Sequence, residues 1–274
     1  MTKDFDPVAA FDAEIQASIA GYPKDSEWQK LNIDWMYKSF QHKHMYNFRW
    51  MGRPIIQYPM DMVALQEIIW DVRPDLIVET GIAHGGSVVY SASLLAMLDM
   101  CDCIESGEML DPATPKRKVV GIDIDIREHN RKLIETHPMH NRMHLIEGSS
   151  IDEAIVDQVK EFAKDYSRIL VCMDSNHTHE HVSRELNSYA PLVSKGSYCI
   201  VFDTLVDDLP EDTFPDRPWA PGNNPKTAVR EYLENQDTAG RMGVDGQPLC
   251  FEVDQEYNNK LMISVAPEGY LVRI

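Results

Sequence analysis

The chain has 274 residues, with 44 Asp and Glu against 26 Lys and Arg and a formal net charge of −18. That charge repels phosphate backbones and argues against general nucleic-acid binding. A hydrophobic fraction of 43 % is ample for a sizeable core. No run reaches the roughly 20 uninterrupted apolar residues of a membrane span, and the acidic start MTKDFDPVAAFDAE lacks the basic region of a signal peptide, so a cytoplasmic location is expected.

Residues 1–73 hold four of the five tryptophans, Trp28, Trp35, Trp50 and Trp70, and a polar-aromatic run from His42 to Trp50. They read as an N-terminal helical extension that either caps a ligand cleft or makes an oligomer contact. From residue 74 to 274, short β-branched runs alternate with amphipathic helical patterns. Strands are predicted at 75–79, 118–124, 144–146, 168–173 and 197–202, and helices at 87–99, 127–136, 151–164 and 180–193. A loop with five prolines between Pro210 and Pro225 leads to a helix starting at Thr227. Strands at 249–253 and 261–265 follow, then an extended tail at 270–274. The alternation predicts a Rossmann-like, doubly wound α/β domain with a mostly parallel seven-stranded sheet and a final antiparallel pair. Cys101, Cys103, Cys172, Cys199 and Cys250 form no CxxC pair and read as reduced thiols, with Cys101 and Cys103 in an acidic surface loop.

The segment Glu79-Thr-Gly81-Ile-Ala-His84-Gly85-Gly86-Ser87 sits where the first strand of this domain meets its helix, at the sheet edge where open α/β folds bind ligands. Gly81 allows a sharp turn, and Gly85 and Gly86 clear side chains from an approaching ligand. The spacing differs from the G-x-G-x-x-G of dinucleotide binders. An acidic residue two positions before Gly81 suits the positive charge of an aminoacyl ligand, where a pyrophosphate would be repelled. Asp123, ending the next strand, is placed to accept hydrogen bonds from ribose hydroxyls. Glu147-Gly-Ser149-Ser150 follows the third strand, where an adenine would lie. These loops point to S-adenosylmethionine, with Glu79, Gly81, His84, Gly85, Ser87, Asp123, Ser149 and Asp174 as its candidate contacts.

Asp174-Ser-Asn-His177-Thr-His179-Glu-His181 follows the fourth strand, and Asp203-Thr204 follows the fifth. Carboxylates at two neighbouring strand ends supply hard oxygen ligands for Mg²⁺, which would lower the pKa of a bound hydroxyl and orient it toward a methyl sulfonium. His177 is the candidate general base. Asp174 also reads as a helix cap and Asp203 as a turn residue, while His179 and His181 read as lying on a solvated helix face.

Residues from about Asn47 to Ile274 resemble the cephalosporin hydroxylase and rhamnosyl O-methyltransferase family. The resemblance is carried by Tyr46-Asn-Phe-Arg-Trp-Met-Gly, Gln57-Tyr-Pro-Met-Asp, Glu79-Thr-Gly-Ile-Ala-His-Gly-Gly-Ser, Asp174-Ser-Asn-His-Thr-His, Pro221-Gly-Asn-Asn-Pro-Lys and Ala266-Pro-Glu-Gly-Tyr270. It implies a methyltransferase fold, bound S-adenosylmethionine and a Mg²⁺ site. The arrangement is also similar to catechol O-methyltransferase. On that likeness Asp174, Asp203 and Thr204 would hold the metal, with His177 in place of a catalytic lysine and Thr204 in place of an asparagine; Asp207 and Asp208 are alternative donors. The rhamnosyl branch implies a sugar hydroxyl as acceptor, with Trp50, Tyr58 and Trp219 as candidate pocket aromatics. Three competing readings are an NAD-dependent oxidoreductase, which the missing G-x-G-x-x-G disfavours, a cephalosporin-type hydroxylase or methoxylation component, and a non-catalytic binding subunit. Nothing in the sequence resembles the two-His, one-carboxylate iron triad of many oxygenases. The aromatic N-terminal arm favours a homo-oligomer.

Overall fold

The computed structural model describes residues 6–274; Met1–Phe5, the first part of the acidic start, lie outside the described residues. Helix α1 (Pro7–Gly21) begins where Asp6 accepts the Val8 and Ala9 amides, and α2 (Ser26–Gln41) where Asp25 accepts the Trp28 amide. Asp at the N-cap satisfies amides that a helix start leaves open. The expected helical extension also contains a hairpin. Strands β1 (Phe48–Trp50) and β2 (Arg53–Ile55) pair antiparallel across Met51-Gly52, both at positive φ. Such a two-residue turn matches the twist of a hairpin. Helix α3 (Pro59–Val72) then leads into the sheet.

The alternating segment gives β3 (Leu76–Thr80), α4 (Gly86–Ser106), β4 (Lys118–Asp123), α5 (Glu128–Glu135), β5 (Met143–Glu147), α6 (Glu153–Ala163), β6 (Ile169–Met173), α7 (His179–Tyr189), β7 (Tyr198–Val201), α8 (Pro225–Glu234), β8 (Phe251–Val253) and β9 (Tyr270–Arg273). The seven-stranded sheet runs β5-β4-β3-β6-β7-β9-β8, with β9 antiparallel to both of its neighbours. Strand order reverses between β3 and β6, so the crevice of this doubly wound fold opens above their carboxyl ends. Both faces are covered. Leu76 and Val78 pack with Val159, Leu186 and Val229 of α6, α7 and α8, whereas Ile77 packs with Met36, Leu65 and Leu95 of α2, α3 and α4. The period of two along β3 therefore turns Glu79 toward the face shared with the N-terminal segment.

Two expectations about the chain's later and surface parts need correction. Residues 261–265 form no strand, and the tail supplies β9 instead. Backbone groups there are committed elsewhere: the Val265 amide donates to Asp61 (3.1 Å), and the Val265 carbonyl accepts from the Leu205 amide (3.1 Å). Cys101 and Cys103 lie on α4, not in a loop, because the helix continues to Ser106. Helix α4 is long and apolar enough, by length and composition, to cross a membrane. Its inner face is buried against the sheet.

Asp99 on α4 is buried between the guanidinium groups of Arg117 and Arg142 and bonded to both. Removing one partner of a buried pair leaves charge uncompensated. Asp99→Ala is expected to lower unfolding stability by about 3–5 kcal/mol in urea titrations. A loss under about 1 kcal/mol would show that this cluster is effectively solvated.

Candidate active site

The β3–α4 loop is set by contacts between chain segments. Gly81 has φ +83°, and a Cβ there would stand 2.0 Å from the Asp174 carbonyl oxygen. Its amide donates to Ile122 (2.8 Å), while the Asp174 amide donates to Thr80 (2.8 Å), locking the ends of β3, β4 and β6 together. A Cβ on Gly86 would meet the Pro54 carbonyl at 2.1 Å, and one on Gly85 would meet Ile134 at 2.4 Å. These glycines answer to protein packing, a different reason from the ligand clearance expected at Gly85 and Gly86. The Asp123 carboxylate accepts the Ile82 and Ala83 amides at 3.0 and 2.9 Å and so clamps the loop. Arg53 of the hairpin donates to the His84 carbonyl and to Asn130. Glu79 lies buried under the loop, accepts the Ser87 hydroxyl, and is pushed up to about 7 by burial, with Asp123 adding to the rise.

Asp174, His177 and Asp203 come together: one ligand atom from each lies within 4.8 Å of the others. Asp174 continues β6 and Asp203 continues β7, so neighbouring parallel strands bring the two carboxylates side by side. Asp203 has φ +57°, a sparsely populated conformation for a residue with a Cβ. His177 Nε2 stands 3.2 Å from Asp203 Oδ2. The Gln57 amide donates to Asp174 Oδ2 at 3.0 Å, and its own carbonyl oxygen is buried without a partner. Burial, then the Asp203 and Glu79 charges, push the Asp174 carboxyl well above its usual range. Among the described residues no Lys or Arg pairs with Asp174 or Asp203. Two uncompensated carboxylates facing one point fit a hard divalent cation.

Other expected ligands lie elsewhere. The Thr204 hydroxyl is fully buried and donates to the Pro267 carbonyl at 2.6 Å, which turns it away from the pair. Asp207 accepts from Gly222 and Asn224, and Asp208 pairs with the buried Lys226, so both are committed to holding the loop base. Asp174 caps no helix, since α7 begins after Thr178. His179 and His181 are half-buried and not on a solvated face. His179 bonds Thr227 (2.8 Å) and lies 2.7 Å from Glu231, tying α7 to α8, and His181 sits 3.1 Å from Ser150 and Ser175.

A cavity of about 540 Å³ opens above these groups. Gly81, His84 and Ser87 form one side, Asp174, His177 and Asp203 the floor, and Phe214 and Trp219 of the proline-rich loop the far wall. The Trp219 ring meets the His177 ring edge-on at 4.6 Å. Tyr58 also lines the cavity, with its hydroxyl bonded to Ser39 at 2.5 Å. Trp50 does not line it: its indole donates to Ser93 and packs edge-on against Tyr90. Glu79 lines a small adjoining chamber with Gln57, Asp61, Ser87 and Asp174. Gly85, Asp123, half-buried Ser149 and Thr204 line neither. Sequence reasoning missed Gln57 as a site residue; the one available signal was its place in the Gln57-Tyr-Pro-Met-Asp61 segment.

Glu79 gives a pH dependence with a definite sign. Its pKa rises from the ordinary 4.5 to about 7 in the folded chain, so the native state retains a proton that the unfolded state loses in between. This contribution is full below about 4.5 and is lost as pH rises through 7, a change of about 3 kcal/mol. Glu79→Gln keeps the neutral form at every pH. The stability difference between variant and parent should therefore grow by about that amount from pH 4.5 to 7.5 in ligand-free protein, read by urea titration. A constant difference would mean Glu79 titrates normally.

Residues 42–274 match the model of the Rhamnosyl O-methyltransferase/CmcI family. The rhamnosyl O-methyltransferase of Mycobacterium tuberculosis (strain ATCC 25618 / H37Rv) is 26 % identical over 269 residues, covering 97 % of this chain and 91 % of that protein. That of Mycobacterium leprae (strain TN) is 26 % identical over 227 residues, 82 % of each. A solved structure of CmcI with SAH superposes with a TM-score of 0.53 at 17 % identity, over 84 % of each chain, which supports the shared fold. The match spans the hairpin, the glycine loop, both strand-end carboxylates and the last strand, and the chain belongs to the rhamnosyl O-methyltransferase/CmcI family.

Proposed function

We propose that this methyltransferase moves a methyl group from S-adenosylmethionine to a hydroxyl of a sugar, with Mg²⁺ held by Asp174 and Asp203 and with His177 as proton acceptor. The observation that carries the reading is the convergence of Asp174, His177 and Asp203 on the floor of a cavity walled by the Gly81–Ser87 loop. The curated relatives carry the name rhamnosyl O-methyltransferase, and one solved CmcI structure carries Mg and SAM, at a TM-score of 0.51, 16 % identity and coverage of 84 % of this chain and 77 % of that one. When bound, the cofactor supplies an electrophilic methyl and the ion supplies Lewis acidity at the acceptor oxygen.

The chain's own groups divide the remaining work. His177 takes the hydroxyl proton as the oxygen gains its methyl group, and the adjacent Asp203 carboxylate compensates the imidazolium that results. Gln57 fixes the rotation of Asp174 through its amide. The loop from Gly81 to Ser87, with His84, buried Glu79 and the end of β5 at Ser149, is assigned to the cofactor. Asp123 serves that site by clamping the Ile82 and Ala83 amides, which leaves its remaining lone pairs for a ribose. Phe214 and Trp219 offer flat apolar faces to the acceptor and exclude water from the floor. An oxygenase triad needs two histidines and one carboxylate, and this cluster has the opposite composition.

Calorimetry with S-adenosylmethionine should show stoichiometric binding, and a silent titration sinks the reading. Asp174→Asn is expected to lower turnover of a rhamnosylated acceptor by about 10²–10³-fold, with cofactor affinity changed less than about threefold. EDTA should abolish turnover and Mg²⁺ restore it; full activity in EDTA removes the metal from the reaction. His177→Gln should cost about 10²–10⁴-fold and flatten the acid limb of the pH–rate profile. A parental profile retained in that variant would assign the proton transfer to another group.

A further inference from the structure

The buried face of α7 is more polar than packing against a sheet requires. His181, Glu185 and Tyr189 recur at intervals of four residues and so share one side of the helix. Glu185 and Tyr189 are fully buried there, beside Val182 and Leu186. Glu185 is an expensive residue to place in this layer. Its Oε1 accepts the Ser175 hydroxyl at 2.7 Å, and its Oε2 is buried without a partner. Among the described residues the only basic side chain paired with it is His181, at 3.6 Å. A buried carboxylate so poorly compensated lowers stability where a leucine would not.

The polar line runs from this carboxylate to two loops of the candidate site. His181 Nε2 stands 3.1 Å from the hydroxyl oxygens of both Ser150 and Ser175. Ser175 gives its single hydrogen to Glu185, so toward His181 its oxygen can only accept, and Nε2 carries the hydrogen that the two serines share. Ser175 directly follows Asp174, lines the cavity, and begins the short turn that carries His177. The far end of that turn is fixed separately, by Asn176 accepting the Thr178 amide at 3.0 Å. Ser150 belongs to the loop after β5, whose backbone α7 also grips. Tyr189 donates to the Ser150 carbonyl at 2.6 Å, and Arg184 to the Ile151 carbonyl at 3.1 Å. In the sheet β5 and β6 are separated by β4 and β3, so no strand ladder sets the spacing of their two loops directly. Among the described residues His181 is the one side chain that bonds both.

We infer that His181 is a positioning residue for methyl transfer, holding the loop after β5 in register with the turn that carries Asp174 and His177. The inference rests on the assignment of the first loop to the cofactor and of the second to the reacting centre. A cofactor that spans both loops binds at full strength only when their spacing is preset, since mobile loops would have to be ordered at each binding event. The buried carboxylate then has a reason to be kept. It fixes the Ser175 oxygen as an acceptor, and that in turn fixes His181 as the donor.

Calorimetry with S-adenosylhomocysteine on the full chain tests this through paired substitutions. His181→Phe should weaken binding at least about tenfold. Ser150→Ala should weaken it about three- to tenfold in the parent but less than about 1.5-fold in the His181→Phe background, because both changes break the same bridge. His181→Gln, which returns a side-chain N–H close to the place of Nε2, should recover binding to within about threefold of the parent. Loss of packing alone would give no such rescue. The serine variant should melt within about 4 °C of the parent. Should the phenylalanine variant not fold, Ser150→Ala combined with Ser175→Ala is read instead, and should bind no more than about twofold worse than the poorer single variant. Parental binding by Ser150→Ala, additive losses in either pair, or a glutamine variant as poor as the phenylalanine one would overturn the inference and leave the functional reading standing. A parent that does not bind S-adenosylhomocysteine overturns both.

Discussion

Everything at the proposed reaction centre depends on how closely two strand ends can approach. The loop leaving β3 passes over the Asp174 peptide with no room for a methyl group, and only Gly81 has both the missing Cβ and the left-handed φ that this crossing needs. The Thr80 carbonyl accepts the Asp174 amide in the same place. The loop assigned to the cofactor and the carboxylate assigned to the ion are therefore two sides of one contact, and neither can shift alone. Such rigidity is what a methyl transfer in line requires, since misplacement by about 1 Å costs orders of magnitude in rate.

Burial dominates the electrostatics of this region. Asp61, Glu79 and Asp174 all border the small inner chamber, and burial is the first cause raising each of them. Their surroundings divide them. Asp61 has its oxygens occupied by Ser264, Val265 and Tyr270, and it fastens α3 to the C-terminal segment. Glu79 has one hydroxyl partner, and Asp174 has one amide partner. The unfilled acceptor capacity of the last two, beside the cavity, suits the cationic groups proposed to bind there.

The layered fold was legible because its signals are local. Runs such as Ile169–Met173 are apolar throughout, as a strand covered on both faces must be, and helices of period 3.6 separate them. The strand-end carboxylates were legible for the same reason, since topology alone carries Asp174 and Asp203 to one edge. What escaped depends on contacts across the chain. Residues 261–265 carry strand-like composition, yet Asp61, some 200 residues away in sequence, takes their hydrogen bonds. Thr204 directly follows a candidate ligand, but the left-handed turn at Asp203 sends its hydroxyl to Pro267. Gln57 reaches Asp174 only through the tertiary docking of the hairpin, which no spacing rule encodes.

The proline-rich loop is built in two parts with unequal anchorage. Its base is fixed by buried Lys226 on Asp208, by Arg230 on Glu268, and by Asn224 on Asp207. Its tip, which carries Phe214 and Trp219, touches the body through the edges of Phe40 and His177. Loops tolerate changes in length and composition where no backbone ladder holds them. The wall proposed for the acceptor and the cluster proposed for the metal are thus held by separate contacts, so a substitution at the tip should change the shape of the cavity while the base keeps Asp203 and its neighbours in register.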